Sequence, residues 1–70
     1  MEMTDVNSSN IAAIGYDPDS AVLTIQFIKG GVYEYYDVPS YENDDLMNAD
    51  SKGSYANLNI YKKYRQQKIG

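Results

Sequence analysis

The chain has 70 residues, no cysteine, no histidine, eight tyrosines and a net charge of −4 at pH 7. That bounds it to one small domain, without disulfides or cysteine-ligated zinc and without the commonest general base and metal-ligating side chain. No apolar run approaches the ~20 residues of a membrane-spanning helix, and the acidic start Met1-Glu2-Met3-Thr4-Asp5 is unlike a secretory signal, so the expectation is a cytoplasmic protein with no membrane partner and no cofactor.

Residues 1–8 are polar and aperiodic, which predicts a flexible, frayed N-terminus. Residues 10–16 read as a first strand, with Gly15 marking a bulge or a close backbone approach. Asp17-Pro18-Asp19-Ser20 is a turn. Residues 21–28 are the clearest strand: Leu23, Ile25 and Phe27 fall on one face, Thr24 and Gln26 on a wet one. Lys29-Gly30-Gly31 closes a hairpin, and residues 32–37 form a third strand with Tyr33 and Tyr35 on one face and Tyr36 on the other. Val38-Pro39 ends the sheet, since proline cannot donate to a ladder.

Ser40 is a candidate N-cap for a helix over residues 41–49, with Tyr41, Leu46 and Ala49 facing inward. Residues 50–53 break it. A second helix is predicted over residues 54–67, docking Ala56, Ile60 and Tyr64 on the sheet with Tyr61 alongside. The architecture is α+β: a three-stranded antiparallel β-meander followed by two C-terminal α-helices packed on one face. The domain spans residues 9–67, and residues 68–70 are a C-terminal end.

Aliphatic residues are too few to fill a core, so tyrosines must help. Tyr33, Tyr35 and Tyr64 are expected in it, their hydroxyls reaching partners or solvent. Tyr36, opposite the core face, suits base stacking, a protein contact or a plain cross-strand pair.

Charge is divided along the chain. Residues 1–50 hold all ten acids and one base, for a net −9; residues 51–70 hold five bases and no acid, for +5. A basic terminal helix that settles against an acidic body explains this, and so does an anion-binding tail. Glu42, Asp44 and Asp45 read as the solvated start of a helix rather than as a metal or acid–base site. Ser51-Lys52-Gly53 lacks the glycines of a phosphate loop, but it leads into a helix whose free N–H groups can hold an anion or simply take a cap. Catalysis is not expected.

Ser9-Asn10-Ile11, Ile14-Gly15-Tyr16-Asp17, Leu23 to Phe27, Gly31-Val32-Tyr33-Glu34-Tyr35, Val38-Pro39, Ala49-Asp50-Ser51-Lys52-Gly53, Tyr55, Asn57, Ile60 and Tyr64 stand in one order and spacing. The set resembles the KTSC domain, named for the C-termini of some lysyl-tRNA synthetases and also found as small free-standing bacterial and phage proteins. The resemblance implies no established activity; it suggests RNA binding by association with the synthetase. The chain departs from the pattern at Glu42-Asn43, where the family places an apolar–aromatic pair, and at Ala56.

These readings point to a non-catalytic binding module for a phosphate-bearing ligand, RNA or a nucleotide. The basic C-terminal helix would bind it through Ser51, Lys52, Gly53, Tyr55, Asn57, Lys62, Lys63 and Arg65, with Tyr33, Tyr35 and Tyr36 as stacking or interface residues. Two other readings are a module whose acidic face (Asp17, Asp19, Glu34, Asp37, Asp44, Asp45) binds a basic protein, and a structural homodimer.

Overall fold

The computed structural model describes residues 3–70. Five strands and two helices follow in the order β1 (Met3–Asp5), β2 (Ile11–Asp17), β3 (Val22–Phe27), β4 (Gly31–Tyr35), α1 (Ser40–Asn48), α2 (Lys52–Asn59) and β5 (Gln66–Lys68). The strands form one antiparallel sheet in sequence order. The α+β class and the two helices agree with the sequence. The three-stranded meander does not: it is the centre of a five-stranded sheet.

Both added strands come from stretches whose side chains carry no strand signal. All three residues of β1 are exposed, and so are all three of β5, so neither shows the alternation that burial of one face imposes. Both form because the edges of β2 and β4 present unpaired backbone groups. Met3 pairs with Gly15 and Asp5 with Ala13 where a frayed start is expected. Residues 1 and 2 of that stretch lie outside the described residues.

At the other edge, the predicted helix over residues 54–67 is shorter and starts earlier. α2 ends at Asn59, where the N–H groups of Ile60 and Tyr61 both donate to the Ala56 carbonyl. The chain then turns, and Gln66 and Lys68 pair with Tyr35 and Tyr33. Helix propensity in Tyr61-Lys62-Lys63-Tyr64-Arg65-Gln66-Gln67-Lys68 is overridden by the demand of the β4 edge.

Register places Ile14, Ile25 and Tyr33 in one row and Tyr16, Leu23 and Tyr35 in the next. This face carries the core: Ile11, Ile14, Leu23, Ile25, Tyr35, Val38, Leu46, Ala56 and Ile60 pack together, with Tyr33 and Tyr64 half-buried against them. On the opposite face Gln26 is exposed as expected, but Thr24 is buried. The bulge in β2 lies between Ile11 and Ala13, not at Gly15, which sits in register opposite Thr24.

α1 begins at Ser40 itself. Pro39 holds the cap position, and no side chain caps the helix, because proline's ring carries no hydrogen-bond acceptor. Of the residues expected to face inward, Leu46 is buried and Ala49 half-buried, but Tyr41 is exposed. Among the described residues no helix is long and apolar enough to cross a membrane.

Gly31 joins the hairpin to the last edge. Its φ is +86°, and a Cβ placed there would meet the Gly70 carbonyl oxygen, which accepts from the Val32 N–H. Gly31→Ala should therefore cost about 1–3 kcal/mol. Chemical denaturation would show it as a lower midpoint with an unchanged slope.

Candidate binding pockets

The N-terminus of α2 is set by Ser51, whose Oγ accepts from the Ser54 N–H at 3.3 Å. The first two helical N–H groups, on Lys52 and Gly53, have no intrahelical acceptor. Across from them lies the turn over residues 7–10, held by Ser8, whose Oγ accepts from the N–H groups of Asn10 (3.2 Å) and Ile11 (3.3 Å). Between the two is an open pocket of about 390 Å³, lined from one side by Asn7, Ser8, Ser9 and Asn10 and from the other by Asp50, Ser51, Lys52, Gly53, Ser54 and Asn57.

Gly53 is the pocket's distinctive position. A Cβ built on it lies 3.8 Å from both the Asn10 Cβ and the Ser8 Oγ, ordinary van der Waals contacts, and its φ is not positive. Among the described residues no contact requires glycine there, in a helix where glycine is unfavourable.

The expected ligand set is divided. Ser51, Lys52, Gly53 and Asn57 line this pocket; Tyr55, Lys62, Lys63 and Arg65 do not. The basic C-terminal helix does not exist, because residues 60–64 are turn and β5 follows. Lys52 Nζ donates to the Ala49 carbonyl at 3.3 Å. Arg65 lies over the Tyr36 ring at 5.2 Å. That ring is half-buried, with its hydroxyl 3.0 Å from Glu34 Oε1 and 3.3 Å from Gln67 Oε1, contacts that fit the cross-strand pairing among the roles expected of it.

Tyr55, Tyr64 and Lys63 converge instead on Glu42, and this is the sharpest departure from the sequence reading. Glu42 is not part of a solvated helix start; it is buried, at 2% exposure. Its Oε1 accepts from the Tyr55 hydroxyl at 2.6 Å, and its Oε2 from the Tyr64 hydroxyl at 2.9 Å, with Lys63 Nζ at 3.4 Å. Burial pushes the carboxyl pKa up, but the two hydroxyl donors and the Lys63 charge outweigh it and hold it below the ordinary value. The same hydrogen bond pushes the Tyr55 hydroxyl up. Asp44 and Asp45 remain exposed.

A second pocket, of about 330 Å³, opens on the helix-bearing face and is lined by Phe27, Gly30, Tyr33, Tyr35, Tyr61 and Gln66. Tyr33 and Tyr35 were expected in the core and also named as stacking or interface residues; Phe27 and Tyr61 read as core, and Gln66 as helix. The residues missed in the polar pocket are Asn7, Ser8, Ser9, Asn10, Asp50 and Ser54. Their signal was faint: a short polar run on one side, and a cap sequence on the other.

A family model described as the KTSC domain matches residues 7–64. The chain belongs to the KTSC domain family. The match takes in both walls of the polar pocket and Tyr64, and ends before β5. A KTSC domain protein from Yersinia pestis, known from a crystal structure, is similar at 42% identity with a TM-score of 0.97, over 99% of this chain and 97% of that one. A protein of Tsukamurella paurometabola is 41% identical over 90% of this chain and 94% of its own. The lysine–tRNA ligase of Nostoc punctiforme is 39% identical over 87% of this chain, which spans 11% of the ligase.

Within this KTSC domain, removing the buried carboxylate should strand two hydroxyls. Glu42→Ala should lose about 2–4 kcal/mol and Glu42→Gln, which keeps one acceptor, about half of that. Because the folded pKa lies below the ordinary value of 4.5, the stabilisation is complete above that value and is lost as pH falls through the folded pKa. Thermal unfolding across that acid range should show a steeper decline for the native chain than for Glu42→Gln. Tyr61 gives the opposite case. Its hydroxyl is buried and has no hydrogen-bond partner among the described residues. Tyr61→Phe should leave stability unchanged or raise it by about 1 kcal/mol; a loss would reveal an acceptor.

Proposed function

We propose that this KTSC domain is a non-catalytic binding module whose polar pocket holds a phosphate group of RNA or of a nucleotide. The observation that carries the reading is Gly53. It stands in the first turn of α2, where a Cβ would sit in ordinary contact with Ser8 and Asn10; the missing methyl group leaves a gap of its own size through which a ligand atom can approach the backbone. The free N–H groups of Lys52 and Gly53 sit at the positive end of the helix dipole, where an anion is stabilised. Among the described residues the side chains of Asn7, Asn10 and Asn57 make no other hydrogen bond and can bond sugar or phosphate oxygens. Likeness to a segment of proteins named lysine–tRNA ligases supports RNA as a source of the phosphate.

Recognition in this reading is local rather than spread along a basic stripe. Lys63 is committed to Glu42 and Arg65 to Tyr36, and Asp50 offsets Lys52 at the pocket itself. Contact with one or two phosphates gives a shallow salt dependence, a log–log slope of about −1 to −2.

An amide NMR titration at low salt with a short single-stranded RNA, then with ribose 5-phosphate, tests this. Shifts should centre on residues 8–10 and 51–57. Gly53→Ala should gain about 0.5–1 kcal/mol of stability yet bind roughly tenfold more weakly, because its methyl group occupies the phosphate's place. Asp50→Asn should bind more tightly. Shifts confined to residues 62–68, or a Gly53→Ala variant that binds as well as the native chain, would overturn the reading.

A further inference from the structure

The aromatic pocket shares no lining residue with the polar one. Its four rings close a circuit. Phe27 and Tyr33 meet edge to face at 5.7 Å and 84°; Phe27 and Tyr61 lie 5.7 Å apart at 59°. Tyr33 and Tyr35 are 6.5 Å apart at 29°, and Tyr35 and Tyr61 6.1 Å apart at 26°. Tyr33, Tyr35 and Tyr61 thus stand in a nearly parallel series, with Phe27 steeply inclined across it. Tyr35 is buried, whereas Phe27, Tyr33 and Tyr61 are half-buried, so surface from three rings remains open to the pocket.

An opening of this kind favours a flat π-system over an aliphatic chain. A planar ring gains offset stacking on the near-parallel tyrosines and an edge contact from Phe27. The volume, about 330 Å³, is at the small end of ligand sites.

The polar groups at the rim narrow the chemistry. Gln66 lines the pocket, and its amide offers both a donor and an acceptor, as the hydrogen-bonding edge of a heteroaromatic base requires. Lys68 sits opposite Tyr33 in register, on the same face, and its Cε lies beside Gly31. Among the described residues the ring-over-cation contacts are made by Lys63 and Arg65, not by Lys68. A cationic side chain on the strand beside the pocket disfavours a cationic guest and favours one that carries negative charge outside the ring.

We propose that the pocket formed by Phe27, Tyr33, Tyr35 and Tyr61 binds the base of a nucleotide, free or in single-stranded RNA. Gln66 bonds the base edge and Lys68 faces the phosphate. Two features of the fold make the site. β5 brings Gln66 and Lys68 to the open side of β4, and the turn after α2 lays Tyr61 over Phe27 and Tyr35. A helix continuing through residue 67 would remove both. The inference goes beyond the polar pocket and stands without it, since each site reports at its own residues.

The test is an NMR titration of the full chain with AMP, adenosine, a short oligoadenylate RNA and cyclohexanol. AMP should give saturable shifts at Phe27, Gly30, Tyr33, Tyr61 and Gln66, and upfield shifts of the adenine protons from the flanking rings. Adenosine should bind the same place more weakly. Cyclohexanol, which offers apolar surface but no flat face, should not saturate there. Gln66→Ala and Lys68→Ala, both at exposed positions on the edge strand, should each weaken AMP at least about threefold, and Lys68→Ala should abolish the advantage of AMP over adenosine. Oligoadenylate binding much more tightly than AMP identifies RNA as the source of the base; equal affinity identifies the free nucleotide. No saturable shift with AMP or RNA, equal shifts with cyclohexanol, or shifts confined to residues 7–10 and 51–57 would overturn the assignment. The last of these would leave the polar pocket standing; AMP shifts at the aromatic pocket alone would do the reverse.

Discussion

One buried carboxylate ties the helical half of this domain together. Placing Glu42 out of water costs several kcal/mol unless its oxygens are satisfied, and they are satisfied by three groups from two other segments: Tyr55 from α2, then Lys63 and Tyr64 from the turn that follows. The carboxylate is therefore possible only if α1, α2 and that turn converge. Once Tyr64 is drawn to α1, the chain cannot continue as helix along α2, and residues 66–68 arrive at the open edge of β4. Helix end, sheet edge and charge neutralisation are three aspects of one arrangement.

The same arrangement redistributes the positive charge of the last twenty residues. Read along the chain, those residues are a basic tail. In space Lys63 is spent on Glu42, Arg65 lies on the Tyr36 ring, and Lys68 is carried on the outermost strand. A dispersed set of cations on an acidic body makes a poor electrostatic track for a long polyanion. Among the described residues, two small and chemically distinct hollows stand out, one walled by hydroxyls and amides and one by aromatic rings. α2 links them: its first turn faces the polar pocket, and the residues just past its end bring Tyr61 to the aromatic one.

The tyrosines show how a chain poor in aliphatic residues closes a core. Tyr35 is fully buried and acts as a large apolar residue, its hydroxyl pKa driven up by the low-dielectric surroundings. Tyr55 and Tyr64 use ring and hydroxyl together, packing against the core while donating to Glu42. Tyr61 supplies its ring, and its hydroxyl has no partner among the described residues. The four residues share a type and differ in role because each role depends on what stands opposite.

Much of the fold was legible from local pattern. The alternation of Leu23, Ile25 and Phe27, the turn at Asp17-Pro18-Asp19-Ser20, the glycine hairpin and the Val38-Pro39 stop each act within a few residues, so the sequence by itself determined three central strands, two helices after them and the face that carries the core. The ordered motif set also determined the family. The edge strands were not legible, since β1 and β5 bury no side chains and exist to satisfy a neighbour's backbone. Glu42 looked like any acid at a helix start, because the tyrosines that bury it lie 13 and 22 residues away. The candidate sites were half-legible for the same reason. Ser51, Lys52, Gly53 and Asn57 stood out beside a cap, and Tyr33 and Tyr35 as an aromatic strand, but their opposite walls, residues 7–10 and Tyr61 with Gln66, come from distant stretches. Which residues face one another across a pocket is set by long-range convergence, and only the tertiary structure decides that.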